Sequence, residues 1–97
     1  MVMKYGYAYI ITNSWHSSLY VWVTSNIVQR IQQHKFGFYK TAFSKKYKLN
    51  KLVWVQEIRD INDAIQIEKK IKWRTRQKKI ALINRDNPSW DDLSWKR

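Results

Sequence analysis

The stretch LYVWVTSNIVQRIQQHK, Leu19 to Lys35, changes its period halfway along. Its first part, LYVWVT, alternates and is rich in β-branched and aromatic residues, which predicts a strand over Leu19 to Thr24. In its second part Ile27, Val28 and Ile31 recur at helical spacing and form an apolar stripe. The helix is expected from Asn26 to about Lys35, with Ser25 as N-cap and Gly37 as the stop signal. A strand therefore runs straight into a capped helix, which is expected to fold back along the sheet edge. Arg30 and His34 are four residues apart and share one helix face, a spacing equally usual on a solvated face. Strand alternation puts Tyr20 and Trp22 on one side of the sheet.

The pattern extends outward in both directions. KYGYAYIIT, Lys4 to Thr12, reads as a strand, and the polar NSWHSS, Asn13 to Ser18, reads as the turn of a β-hairpin. KLVWVQEI, Lys51 to Ile58, is a third strand. Between helix and third strand lies FGFYKTAFSKKYKLN, Phe36 to Asn50, which is basic, aromatic and irregular, with room for one short helical turn. Asp60 or Asn62 then caps a helix over DAIQIEKKIKWR. A helical run, RQKKIALINR, follows from about Arg76. Thr75 either breaks these into two helices or lies inside a continuous one. Asn87-Pro88 ends the run, and SWDDLSWKR is a short tail. The order is β-β-α-β-α-α, an α/β (α+β) arrangement in which helices flank a three-stranded sheet. The 97 residues suggest a single domain, 1–97, with a core over about 5–90 and a tail over 91–97.

Charge narrows the partners. Lys and Arg number 19 against 7 Asp and Glu, a formal net charge of +12. A small domain this basic attracts polyanions, nucleic acid first and an anionic membrane surface second. The run KKIKWRTRQKK, Lys69 to Lys79, holds seven of the positive charges around Trp73. Lys69, Lys72, Arg74, Arg76 and Lys79 are candidates to track a phosphate backbone, with Trp73 or another ring stacking on a base. These cations are spread around the helix instead of flanking one apolar face, which argues against a membrane partner. No apolar run is long enough to cross a bilayer, and Met1 to Ile11 is too short and too aromatic for a signal peptide. The expected location is the cytoplasm. There is no Cys, which excludes disulfides, zinc ribbons and thiol catalysis. The only histidines are His16 and His34, so any metal would be a hard one held by carboxylate and water.

Seven carboxylates limit the search for acid, base or metal chemistry. Asp91 and Asp92 lie in the tail, Asp86 precedes the Asn-Pro break, and Glu57 is near a strand end. Asp60 and Asp63 fit helix capping and the helix dipole. Glu68 differs: it falls four residues after Ala64, three after Ile65 and three before Ile71, on the apolar face of its helix. A carboxylate there should be paired with a nearby Arg or Lys, hydrogen-bonded, or bound to a metal. Tyr7, Tyr9 and Tyr20 are either ordinary strand aromatics or, with cations nearby, proton acceptors, because a free tyrosine titrates near pH 10.

At these residues a resemblance emerges. Tyr7-Ala8-Tyr9 and Tyr20-Val21-Trp22, on two strands joined by a short loop, resemble the paired tripeptides of the GIY-YIG endonuclease superfamily. YAYIITN, LYVWVTSNIVQRIQQHK, LVWVQEI, AIQIEKKIKWR, KKIALI and NPSW together are similar to its small stand-alone bacterial branch, over about Tyr5 to Trp90. The resemblance implies a three-stranded antiparallel sheet flanked by helices, and hydrolysis of DNA phosphodiesters with a single divalent metal, Mg²⁺ or Mn²⁺. It also implies roles. Tyr9 and Tyr20 would be the tyrosines of the two tripeptides, and Arg30 the arginine that steadies the scissile phosphate. His34 would occupy the position that holds Tyr or His. Glu68 would be the metal-binding carboxylate. Tyr20, Tyr9 and His34 all remain open as the proton acceptor. With no second domain expected, preference for branched or otherwise structured DNA is favoured over sequence preference.

Two positions depart from the pattern: Tyr7 replaces the first Gly, and Trp22 stands where the second tripeptide ends in Gly. Trp22, on the face of Tyr20 by alternation, either occludes the phosphate site, stacks on a flanking base, or points to the far side of the sheet as core packing. The leading functional readings are therefore a metal-dependent endonuclease and a nucleic-acid-binding module of the same fold that has weakened or lost catalysis, with a structural or membrane-surface role as the third.

Overall fold

A computed structural model describes residues 5–13, 18–36 and 51–93, without the side chains of residues 32–36. The elements are β1 (Gly6–Thr12), β2 (Leu19–Thr24), α1 (Ile27–Phe36), β3 (Lys51–Ile58), α2 (Ile61–Lys72) and α3 (Arg76–Asp86). The strands form one antiparallel sheet in the order β2-β1-β3. β1 takes the centre because GYAYIIT is apolar on both faces, and nearly all of it is buried. Thr12 closes the neck of the hairpin by donating its hydroxyl to the Ser18 carbonyl at 2.6 Å.

Alternation along β1 divides the core in two. Ala8 and Ile10 face one side with Val21 and Trp54, where Ile71 of α2 and Ile83 of α3 cover them. Tyr9 and Ile11 face the other side with Leu52, under Ile27 and Ile31 of α1. Burying each isoleucine stabilises the fold by roughly 1.5–3 kcal/mol. α2 lies very close to β1 at Gly6: a Cβ there would come within 2.5 Å of the Ala64 Cβ and 2.9 Å of the Ile61 Cα. That lack of a side chain seats α2, and so fixes where the rest of the helix reaches.

The caps are resolved. Asp60 accepts from the Asn62 N–H at 2.9 Å and is the N-cap of α2. Thr75 accepts from the Lys78 N–H at 3.3 Å and starts α3, so the chain breaks into two helices there. Asn26, and not Ser25, caps α1: its Oδ1 accepts from the Gln29 N–H at 3.1 Å, and the Thr24 hydroxyl oxygen accepts from its own N–H. Two further expectations are corrected. Val28 is 47 % exposed, because Ile27 and Ile31 alone fill the face of α1 that meets the sheet. α1 also covers that sheet face and does not run along the edge, since its two isoleucines pack on central residues Tyr9 and Ile11. The expected helical turn within Phe36 to Asn50 lies outside the described residues beyond Phe36.

β3 contains an irregularity that the sequence did not announce. Ile10 pairs with Trp54 and Ile11 with Leu52, which leaves Val53 as an extra residue. Such a bulge releases backbone groups from the ladder. Here they are taken up by the chain after α3. The Asn87 amide donates to the Val53 carbonyl at 3.0 Å and to the Asp91 carbonyl at 2.9 Å. Asp91 N–H donates back to Asn87 Oδ1, and the Asp92 carboxylate accepts from the Leu52 N–H. The tail is thus a clasp on the third strand.

Candidate active site

β2 is an edge strand, and along it lies an open depression of about 590 Å³. One wall is the strand from Leu19 to Val23, including Tyr20 and Trp22; the other carries Glu68 and Lys72 of α2 and Lys79 of α3. The arrangement follows from the fold. Tyr20 belongs to the α1 side of the sheet, whereas α2 packs on the opposite side. α2 extends past the central strand, so the turn carrying Glu68 and Lys72 reaches the β2 edge, where the two sides meet.

Glu68 is half-buried. Among the described residues, no hydrogen bond or salt bridge involves its carboxylate. The structural ion pair that would have explained its place on an apolar face is therefore not formed with them. The other carboxylates have structural work or full hydration. Tyr7 donates to Glu57 at 3.4 Å, Asp60 caps α2, and Asp92 holds the Leu52 N–H. Asp86 accepts from the Trp54 indole at 2.8 Å and pairs with Arg85 at 3.0 Å. The Arg85 hydrogen bond, followed by that of Trp54, holds the Asp86 carboxyl below its ordinary value. Asp63 and Asp91 are exposed.

The remaining candidates are distributed around this edge. Tyr20 is half-buried and lines the depression. Tyr9 is 0 % exposed, packed in the core beneath, and does not line it. Trp22 pairs across the sheet with Tyr9, packs on the same cluster, and lines the depression without closing it. Arg30 is half-buried on α1, outside the lining. His34 belongs to α1 one turn further on, and its side chain lies outside the described residues, as does all of His16. Of the basic run, Lys72 and Lys79 face the depression, and Lys69 and Arg76 are exposed. Arg74 faces a second depression, with Lys70 and Arg85.

The donor set suits one kind of ion. Among the described residues, no three His, Cys, Asp or Glu side chains stand together as a metal cage. Glu68 would offer a single carboxylate in an open, watered site, which fits a hard divalent cation that keeps most of its hydration shell. Lys72 and Lys79 on the same wall favour an anion beside that position.

Comparison with known proteins finds relatives of this domain. The model of the GIY-YIG catalytic domain matches residues 5–81. The chain belongs to the GIY-YIG family. This is a nuclease-type family, and nucleic acid is its class of substrate. A UPF0213 protein of Syntrophus aciditrophicus is 33 % identical over 86 residues, which cover 89 % of this chain and 97 % of that protein. The solution NMR structure of a UPF0213 protein from Bacillus halodurans has the same fold, with a TM-score of 0.56 at 20 % identity over 92 % of this chain and 93 % of that one. Among the described residues, no helix is long and apolar enough to cross a membrane.

Sequence reasoning missed the clasp around Asn87 and the second basic depression. Asn87 was visible only as a helix stop before Pro88. The second depression depends on the way α2 turns its cations to both sides, which follows from its seat on Gly6.

Proposed function

We propose that this GIY-YIG protein is a metal-dependent DNA endonuclease with its active site in the β2 edge depression. The observation that carries the reading is Glu68, a half-buried carboxylate with no partner among the described residues, on the wall facing Tyr20. Glu68 would hold a single Mg²⁺ or Mn²⁺ through its carboxylate, with water completing the shell. A divalent ion bound there supplies positive charge to the phosphate and to the departing oxygen. Lys72 and Lys79 hold the strand by its phosphates. Arg30, on the helix packed beside the tyrosine cluster, steadies the scissile phosphate and offsets charge that grows in the transition state. Tyr20 takes the proton from the attacking water, because its ring reaches the depression while Tyr9 is sealed in the core. Tyr9 then acts by holding the sheet beneath Trp22, and His34 assists from α1. Lys69, Arg74 and Arg76 extend the phosphate contacts, and structured or branched DNA is preferred to a particular sequence.

A second reading keeps binding and drops catalysis; it rests on Trp22, whose indole occupies part of the wall. One experiment separates them. Purified protein is incubated with supercoiled, linear and branched DNA in Mg²⁺, Mn²⁺ or EDTA. Cleavage in either metal and none in EDTA is the expected result. Retarded but intact DNA in all three conditions would select the binding module. Affinity should fall steeply with salt, and Lys72→Gln with Lys79→Gln should reduce the slope of log affinity against log salt by roughly 2.

A further inference from the structure

Trp73 is 86 % exposed, beyond anything a core role requires. Its backbone is nonetheless fixed. Trp73 is the C-cap of α2 in helical geometry, and its N–H donates to the Lys69 carbonyl at 3.2 Å. The next N–H, of Arg74, donates to the Ile71 carbonyl at 3.0 Å, and Thr75 then caps α3. An indole is thus held out into solvent from a short elbow between two helices.

The surroundings say what this ring meets. On one side α2 turns Lys72, with Lys79 of α3, into the depression of the proposed active site. On the other it turns Lys70 and Arg74, with Arg85, into a second depression of about 330 Å³ bordered by Trp54 and Gln56. Lys72 and Arg74, the chain neighbours of Trp73, thus line two different cationic depressions. A polyanion with two backbones that part at an apolar point is complementary to such a surface. Paired duplex hides its base faces, and only an unstacked base offers one to an indole.

We infer that Trp73 is a stacking platform for an unpaired base at the point where two DNA strands part. The parted strands follow the two basic depressions. This rests on the reading that the basic run meets nucleic acid, and it adds the feature of that nucleic acid which is recognised. Trp73 does not touch the reacting atoms in this account. It positions the branch so that one strand enters the β2 edge depression.

The test is equilibrium binding in EDTA, where cutting is absent, by anisotropy of labelled single-stranded, tailed and blunt-ended duplex DNA. Wild type should bind the tailed and single-stranded DNA more tightly than the blunt duplex. Trp73→Ala should weaken binding to those two about tenfold and leave the blunt duplex unchanged, while Trp73→Phe recovers most of the loss. A 2-aminopurine in the unpaired tail should be quenched by wild type and not by Trp73→Ala. An equal loss on all three DNAs, or no loss, would overturn the inference. So would a loss confined to phosphatidylglycerol vesicles, measured alongside, which would make the ring a membrane anchor. If wild type binds no DNA, the nuclease reading falls as well. If wild type cuts DNA and Trp73→Ala changes nothing, only the inference about Trp73 falls.

Discussion

The two edges of the sheet handle polar groups in opposite ways. At the β3 edge the chain bulges, and the polar groups there find partners: Asn87 takes the Val53 carbonyl, Asp92 the Leu52 N–H, and Asp86 the Trp54 indole. At the β2 edge a half-buried carboxylate, Glu68, shares a wall with Lys72 and Lys79 opposite Tyr20, with no such partner among the described residues. Both edges are basic and both are covered by α2. The difference is that the first uses its polar groups to hold the fold, whereas the second leaves the Glu68 carboxylate without a partner among the described residues. A half-buried carboxylate left without a protein partner is open to an external one, such as a cation. That contrast is why we propose the β2 edge as the functional one.

The contrast can be broken by substitutions that should act on one edge only. The largest effect is expected from Tyr20→Phe, which should lower the cleavage rate about 10²–10⁴-fold with the melting temperature little changed. A variant that cuts at the wild-type rate would remove Tyr20 from proton transfer. Asn87→Ala at the other edge should reverse the pattern. It leaves buried backbone groups unsatisfied and should reduce unfolding free energy by about 2–3 kcal/mol in denaturant titration. A loss of no more than about 0.5 kcal/mol, as at an ordinary surface position, would mean the clasp is decorative.

Gly6→Ala tests the helix shared by both edges. The new methyl collides with Ala64 and Ile61, so a loss of about 1–3 kcal/mol is expected, with a fall in cleavage as Glu68 moves. Unchanged stability would show that α2 can shift freely. The smallest effect belongs to Asp86. Its folded-state carboxyl is held below the ordinary value, chiefly by Arg85 and then by Trp54. The stabilisation is therefore present above the unfolded value near 3.9 and is lost as pH falls through the lower folded value. Asp86→Asn should flatten the dependence of stability on pH below about 4, the range of that loss. An unaltered acid profile would show that the Asp86 contacts are not maintained in solution. The side chain is well exposed, so the change should be small.

The legibility of the sequence followed the range of the interactions. β2 and β3 were readable to the residue, because alternation and β-branching are local signals. Thr75 could be named as a candidate break for the same reason. Glu68 stood out by periodicity, since a carboxylate on the stripe of Ala64 and Ile71 conflicts with its surroundings. The sequence alone puts the α1 cap one residue early, because Ser25 and Asn26 are both good caps and only the geometry chooses Asn26. Val28 looks like part of the apolar stripe because the spacing of Ile27, Val28 and Ile31 does not reveal how wide a face the sheet can cover. The bulge at Val53 was invisible, because it is defined by a register with β1 and by a side chain 34 positions later. The burial of Tyr9 also depends on that assembly: Tyr9 and Tyr20 look alike as strand tyrosines, and only the central place of β1 seals one and opens the other.

The most direct test compares Glu68→Gln with wild type in matched preparations, by single-turnover DNA cleavage in Mg²⁺ and by thermal melting. The amide keeps the shape and removes the charge. The account predicts a fall in cleavage of about a thousandfold or more, unaltered DNA affinity in EDTA, and a melting temperature equal to or above that of wild type. Cleavage at the wild-type rate would contradict it, and so would a variant that melts well below wild type, since Glu68 would then be a structural residue like Asn87.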